Sequence, residues 1–294
     1  MLILIADAFD TSLPKQLSRF GEVTSDPARL GEADIVLVRS KTKCTSDWMA
    51  GAPRVKAIIR GGVGMDNIDM ESAASKGILT LNTPTASSIA VAELAFSLML
   101  AVPNHISEYD AGMKSGKWLK NLKRTELYGK TIALLGMGNI ATEVAKRALA
   151  FGMKVVAYDC SKKGSPYAEM KDSVEDAVRD ADYVSVHLPL NAATNHLVDR
   201  KLLEVMTRKP VIINTARGLC IDAQAMVDAL ENGQVSWYAA DVYPSDPPSP
   251  DYPLLKCEHV TLTPHVGANS EENLGRIGDE VVRIIERLKD EGKV

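Results

Sequence analysis

Short apolar runs alternate with amphipathic windows along nearly the whole chain. Runs at 2–6, 35–38, 57–59 and 79–81 predict strands, with helical windows between them. A helix is expected over 87–101, stopping at Pro103, with a second one passing through Tyr109 and Met113. From Lys130 the alternation becomes regular, with strands expected at 131–135, 154–158, 183–187, 211–214, 238–242 and 260–263. The connections at 139–151, 173–179, 199–206 and 222–232 read as helices; the first places Ile140, Val144, Ala145, Ala148 and Leu149 on one face. The runs at 211–214 and 260–263 are apolar almost throughout, which predicts strands covered on both faces. A last helix over 270–289 carries Leu274, Ile277, Val281, Ile284, Ile285 and Leu288 on one stripe, with Asn269 or Ser270 to cap it. The segment PSDPPSPDYP at 244–253 cannot be a central strand and must lie outside a sheet.

Strand and helix in alternation mean βαβ units and parallel sheets. The fold class expected is therefore α/β, with two Rossmann-like or flavodoxin-like domains, each a doubly wound parallel sheet, and a cleft between them. The 294 residues are 46% hydrophobic and 24% charged, enough for large cores and against wholesale disorder. A net charge of -4 argues against a nucleic-acid or anionic-membrane surface, so neither partner is expected. Cys44, Cys160, Cys220 and Cys257 are far apart and read as reduced thiols, and no His/Cys/Asp/Glu spacing suggests a metal. The N-terminal MLILIAD is too short for a signal peptide, and the apolar stretch 89–102 is interrupted by Glu93 and too short for a membrane span. A soluble, cytoplasmic protein is expected.

One strand ends in Gly136-Met137-Gly138-Asn139-Ile140-Ala141, a GxGxxA turn leading into a helix. In the dinucleotide fingerprint the first glycine permits the tight turn and the second lets backbone approach a pyrophosphate. The small third residue lets helix pack on strand, and the helix N-terminus faces the phosphates. Asp159 ends the next strand 23 residues after Gly136, where a carboxylate would accept from the adenosine ribose and repel a 2′-phosphate. NAD is thus favoured over NADP, although Lys162 and Lys163 follow closely and offset part of that repulsion. The competing reading is a tight structural turn.

A nicotinamide enzyme acting on a hydroxyl needs a base, a cation to hold the substrate, and a carboxylate to orient the base. Arg217, Asp246 and His265 each follow a predicted strand, where doubly wound sheets bind ligands. His105, His196 and His259 have no such surroundings, and His187, at a strand end, is expected to make backbone contacts only.

The chain resembles the D-isomer-specific 2-hydroxyacid dehydrogenases, and most the 3-phosphoglycerate dehydrogenase branch. The resemblance rests on GVGMDN (62–67), NTPTASSIAVAE (82–93), TELYGKTIALLGMGNIA (125–141), HLPL (187–190), NTARG (214–218), DVYPSDP (241–247) and TPHVGANSEE (263–272). It implies that Arg217 binds the substrate carboxylate and that His265 is the acid/base. The family's usual glutamate partner falls on Asp246, one methylene shorter. Cofactor contacts implied are Gly136, Gly138, Asn139, Ile140, Asp159, Thr215, Ala216, Arg217, Asp241, His265, Gly267 and Ala268. Asp241 would hold the carboxamide, unless it is a structural strand-end carboxylate.

On the substrate side, backbone N–H groups of Val63 and Gly64 would hold a carboxylate. VRSKTK (38–43) resembles the segment in which an Arg–Ser pair, here Arg39 and Ser40, holds a phosphate, with Arg60 and Lys41 adding positive charge. The bland alternative for Arg39 and Lys41 is a solvated strand end. Ser87 stands where the family often has Asn, which weakens one substrate-side hydrogen bond.

The implied domains are a substrate domain, 1–98 with 268–294, and an NAD domain, 99–267. The implied reaction is NAD-dependent oxidation of D-3-phosphoglycerate to 3-phosphohydroxypyruvate, the entry to serine biosynthesis, by a short form ending at Val294. Within the class the alternative is a glyoxylate, hydroxypyruvate or D-lactate reductase; outside it, an NAD-sensing corepressor. A homodimer through 89–113 and 118–129 is also implied.

Overall fold

The runs LILI, IVLV and AIIR have no polar side chain before their last residue, so strands built from them need cover on both faces. The structure, a computed structural model describing residues 1–294, supplies that cover twice, in two compact units. The first comprises residues 1–88 and 268–294, the second residues 89–267.

In the first unit, β1 (Leu2–Ile5), β2 (Glu22–Thr24), β3 (Ile35–Val38), β4 (Ala57–Arg60) and β5 (Leu79–Asn82) form a parallel sheet in the order β2-β1-β3-β4-β5. Alternate side chains serve opposite faces. Ile3, Ile35, Leu37 and Ile59 pack with Leu13, Leu17 and the helix Glu271–Asp290, while Leu4, Val36, Val38 and Ile58 pack with Met49, Ala52 and Ala73. The stripe expected on the last helix is buried at Ile277, Val281, Ile284, Ile285 and Leu288, and the Ser270 hydroxyl caps it by accepting from Asn273 N. β2 (EVT) was not foreseen: three residues, none of them buried, leave no periodic signal.

The second unit carries β6 (Thr131–Leu135), β7 (Lys154–Tyr158), β8 (Glu169–Met170), β9 (Tyr183–Val186), β10 (Val211–Asn214), β11 (Trp237–Ala240) and β12 (Val260–Leu262). All pair in parallel, in the order β12-β11-β10-β9-β6-β7-β8. The order reverses between β6 and β9, the crevice where such sheets bind dinucleotides. Two expectations change here. β12 is an edge strand and only half-buried, so the apolar run at 260–263 is not covered on both faces. The two-residue β8 extends the other edge and has no pattern to read. The helix Ser88–Ala101 buries Ala92, Ala95, Phe96 and Met99 in one cluster with Ile132, Leu134, Ala141 and Val144. Residues 89–98, placed with the substrate domain on sequence, therefore pack as part of the larger unit. No single helix is long and apolar enough to cross a membrane.

Candidate active site

Three neighbouring strands end level with one another: Asn214 of β10 pairs with Ala240 of β11, and Ala240 with Leu262 of β12. The loops that follow carry Arg217, Asp246 and His265. Parallel register thus delivers three residues, distant in sequence, to the carboxyl end of one sheet.

The loops are tied to each other. Tyr243 donates through its hydroxyl to Thr263 O at 2.7 Å. Gly218 lies so close to the next loop that a Cβ there would fall on the Tyr243 carbonyl and 2.6 Å from Pro244 N. Asn214 shapes the arginine loop, accepting from Ala216 N at 3.0 Å and donating to Arg217 O at 2.9 Å. The Arg217 side chain, half-buried, donates through Nη1 to Ala216 O.

His265 has a left-handed backbone, φ 53°. Its Nδ1 is hydrogen-bonded to Asp246 Oδ2, and both side chains are partly exposed. The shorter acid therefore reaches the imidazole. Asp241, buried, holds the histidine loop on either side: Oδ1 accepts from Thr263 Oγ1 at 2.6 Å and Val266 N at 2.9 Å, and Oδ2 from Gly267 N at 2.8 Å. These use about three of the four acceptor positions of a carboxylate. Sequence reading missed Asn214 and Thr263; the only sign of either was a polar residue at the end of an apolar strand.

At the reversal of strand order, Gly136 has φ +92°, and a Cβ there would stand 2.6 Å from His187 O. The turn thus requires glycine for both conformation and space. A Cβ on Gly138 would meet nothing within 4 Å, and this residue, without a side chain, occupies the N-cap of the helix Asn139–Ala150. Asp159 Oδ2 accepts from Met137 N at 2.8 Å, which joins the glycine turn to the end of β7, and Lys162 Nζ donates to Met137 O at 2.7 Å. Partial burial raises the Asp159 carboxyl, but bonds from Met137, Ser161 and Lys162 outweigh it and bring it down to about 2. It is ionised at any working pH. His187 corrects an expectation: beyond its backbone contacts, its Nε2 is hydrogen-bonded to Ser185 Oγ at 2.9 Å. Burial pushes His187 down to about 4, which keeps it neutral.

The remaining predicted residues lie in the first unit. Gly62 N donates to Thr83 Oγ1, and Val63 O accepts from Asn82, which ties the glycine-rich loop after β4 to the end of β5. Arg60 folds over this loop, where a Cβ on Gly62 would collide with its guanidinium. Gly64 is half-buried and Ser40 exposed. Arg39 donates to Ala8 O at 3.3 Å and Ala268 O at 3.2 Å. Burial lowers its pKa, opposed by the Asp7 charge. Ala268, read as a cofactor contact, packs in this unit, where its carbonyl also accepts from Asn273 at 2.7 Å.

Residues 96–267 match the model of the D-isomer specific 2-hydroxyacid dehydrogenase NAD binding domain. The chain belongs to the D-isomer-specific 2-hydroxyacid dehydrogenases. It is 43% identical over 257 residues to a hydroxypyruvate reductase of Thermotoga maritima, covering 86% of this chain and 84% of the relative. It is 39% identical over 305 residues to a D-3-phosphoglycerate dehydrogenase of Methanocaldococcus jannaschii, covering 97% of this chain and 57% of that one. The chain thus spans little more than half the length of that dehydrogenase. A solved glyoxylate reductase from Paecilomyes thermophila superposes with a TM-score of 0.87 at 28% identity, over 99% of this chain and 96% of the other.

Members of this dehydrogenase family are NAD-dependent oxidoreductases. The glycine turn fits that cofactor: open space stands beside Gly138, the helix behind it has no side-chain cap, and an ionised carboxylate ends β7.

One prediction tests how the arginine loop is held. Gly218→Ala forces the 214–218 and 241–246 loops apart, an overpacking cost of about 3 kcal/mol. Melting should drop by several degrees, and kcat/KM should fall further than melting alone explains. An unchanged melting curve would show that the loops do not depend on this approach.

Proposed function

We propose that the protein oxidises a D-2-hydroxy acid with an anionic tail, D-3-phosphoglycerate fitting best, to the 2-oxo acid. The observation that carries this reading is the His265 Nδ1 bond to Asp246, beside the Arg217 loop at the carboxyl end of the sheet. With Nδ1 held by a carboxylate, Nε2 is the nitrogen that takes the substrate's hydroxyl proton, and Asp246 steadies the imidazolium that results. Arg217 offers a planar cation for the substrate carboxylate and for the carbonyl oxygen that forms. NAD, when bound, supplies the hydride acceptor. Gly136, Gly138, Asn139 and Ile140 would lie along the pyrophosphate and Asp159 at the ribose. Thr215, Ala216, Asp241 and Gly267 would line the nicotinamide end, Asp241 with one acceptor position left for the carboxamide.

In the first unit, Val63 and Gly64 would bind the substrate carboxylate, and Arg39, Ser40 and Arg60 would serve its tail. Against a phosphate role for Arg39 stand its bonds to Ala8 O and Ala268 O. That observation favours a second reading, reduction of hydroxypyruvate, the activity in the name of the Thermotoga relative.

A steady-state panel decides between them. We expect kcat/KM for D-3-phosphoglycerate to exceed that for D-glycerate and D-lactate by about tenfold or more, the worth of one charge-assisted contact. A preference for D-glycerate, or for hydroxypyruvate in reverse, would overturn the phosphate assignment.

The chain is proposed to act as a homodimer. Trp118 and Tyr128 are 75% and 78% exposed, and Ile106 and Met113 are exposed beside them in sequence. A monomer in sedimentation velocity would refute this. Four free thiols, with Cys160 exposed, suit a reducing compartment, and we place the protein in the cytoplasm.

A further inference from the structure

In the first unit the strand order β2-β1-β3-β4-β5 reverses between β1 and β3. Sheets of this kind bind ligands in the crevice beyond the carboxyl ends of the two strands at the reversal. Asp7 follows β1 there, and the loop 39–42 follows β3.

The base of that loop is pinned from both sides. Asp7 Oδ2 accepts from Arg39 N at 2.6 Å and Thr42 N at 3.1 Å, and Asp7 Oδ1 accepts from Thr42 Oγ1 at 2.7 Å. Asn67, beyond β4, donates through Nδ2 to Arg39 O and Thr42 O, both at 2.7 Å. The N–H and C=O groups of the two residues closing the loop are thus all engaged by two side chains. The Asn67 backbone is itself held, since its main-chain carbonyl accepts from Cys44 N at 2.8 Å. Arg39 is a strut, joined to Ala8 O and Ala268 O. The tip, Ser40 and Lys41, stays exposed, with Lys43 exposed just beyond it.

We propose that Asp7 and Asn67 are positioning residues that hold the loop 39–42 preformed, so that the Ser40 and Lys41 tip selects substrates by an oxyanion on the tail. This deepens the proposed function and rests on its substrate reading. A loop pinned at its base does not have to be ordered when the substrate arrives, so the clamp acts on KM rather than on chemistry. Lys41, a mobile point charge, and the Ser40 hydroxyl suit a tetrahedral oxyanion such as a phosphate monoester.

The test uses Asp7→Asn, Asn67→Ala and the milder Thr42→Val, which removes only one bond of the clamp, with Thr42→Ser to restore it. Trypsin, which cuts after Arg39, Lys41 and Lys43, should nick the first two variants about tenfold faster than wild type, the scale of one lost hydrogen bond. In the same variants KM for D-3-phosphoglycerate should rise about tenfold, while kcat, KM for D-glycerate and the Kd for NADH stay within about twofold. Thr42→Val should move the same way by less, and Thr42→Ser should return to wild type. A KM that rises equally for both acids, or stays put although nicking accelerates, overturns the clamp. A wild type that prefers the phosphorylated acid with variants that match it overturns the clamp alone. A wild type indifferent to the phosphate overturns the substrate reading and tail selection together.

Discussion

His265→Asn should lower kcat by about 10²–10⁴-fold, the usual contribution of a positioned general base. Asparagine is the informative replacement. His265 sits at φ 53°, a left-handed conformation in which asparagine is at home, so the loop should keep its path. The three bonds from this loop to Asp241 come from Thr263, Val266 and Gly267, and none uses the residue 265 side chain. What disappears is the imidazole nitrogen that would take the substrate's hydroxyl proton. NADH binding, read by fluorescence titration, should therefore stay close to wild type while turnover collapses. A variant within tenfold of wild-type kcat would remove His265 from the chemistry.

Arg217→Lys is the second large effect. The change keeps the charge and removes the planar fork, so two parallel bonds to a carboxylate become one point contact. At about 1.5–3 kcal/mol for a hydrogen bond to a charged group, kcat/KM should fall about 10–150-fold, and Arg217→Ala should fall further. The backbone should not follow the side chain. Arg217 O is held by Asn214 Nδ2 and Cys220 N, neither of which depends on the guanidinium. Stopped-flow binding of NADH to Arg217→Lys should match wild type. Equal kcat/KM in the lysine variant would mean that charge alone is needed and that no bidentate contact exists.

How much of this was legible in the sequence follows the range of each interaction. The GxGxxA turn could be read because its demands are local: Gly136 needs its φ, Gly138 its open side, and both are settled within a few residues. The strands β1 and β3 announced themselves by runs without a polar side chain, and β10 by a run broken only at its last residue. β2 and β8 did not, because an edge of two or three residues is held by its neighbour rather than by its own pattern. β12 misled for the opposite reason, as an apolar run that ends up on an edge. The pairing of His265 with Asp246 spans 19 residues, and the sequence offered it only as two strand-end positions and a family resemblance, without the contact itself. Asp7 and Asn67 were not singled out at all. Their partners lie 25–35 residues away, and an acid and an amide in loops look like any solvated polar residue until the sheet brings β1, β3 and β4 together.

The glycine turn, the arginine, the imidazole and its acid all belong to residues 89–267, whereas the clamped loop belongs to residues 1–88 with 268–294. On the proposed function, the residues for hydride transfer and those for tail recognition thus lie in separate stretches of the sequence. If that holds, substitutions around 7, 39–42 and 67 should change which acid is accepted while leaving hydride transfer as it is, so that substrate range and redox chemistry could be altered independently.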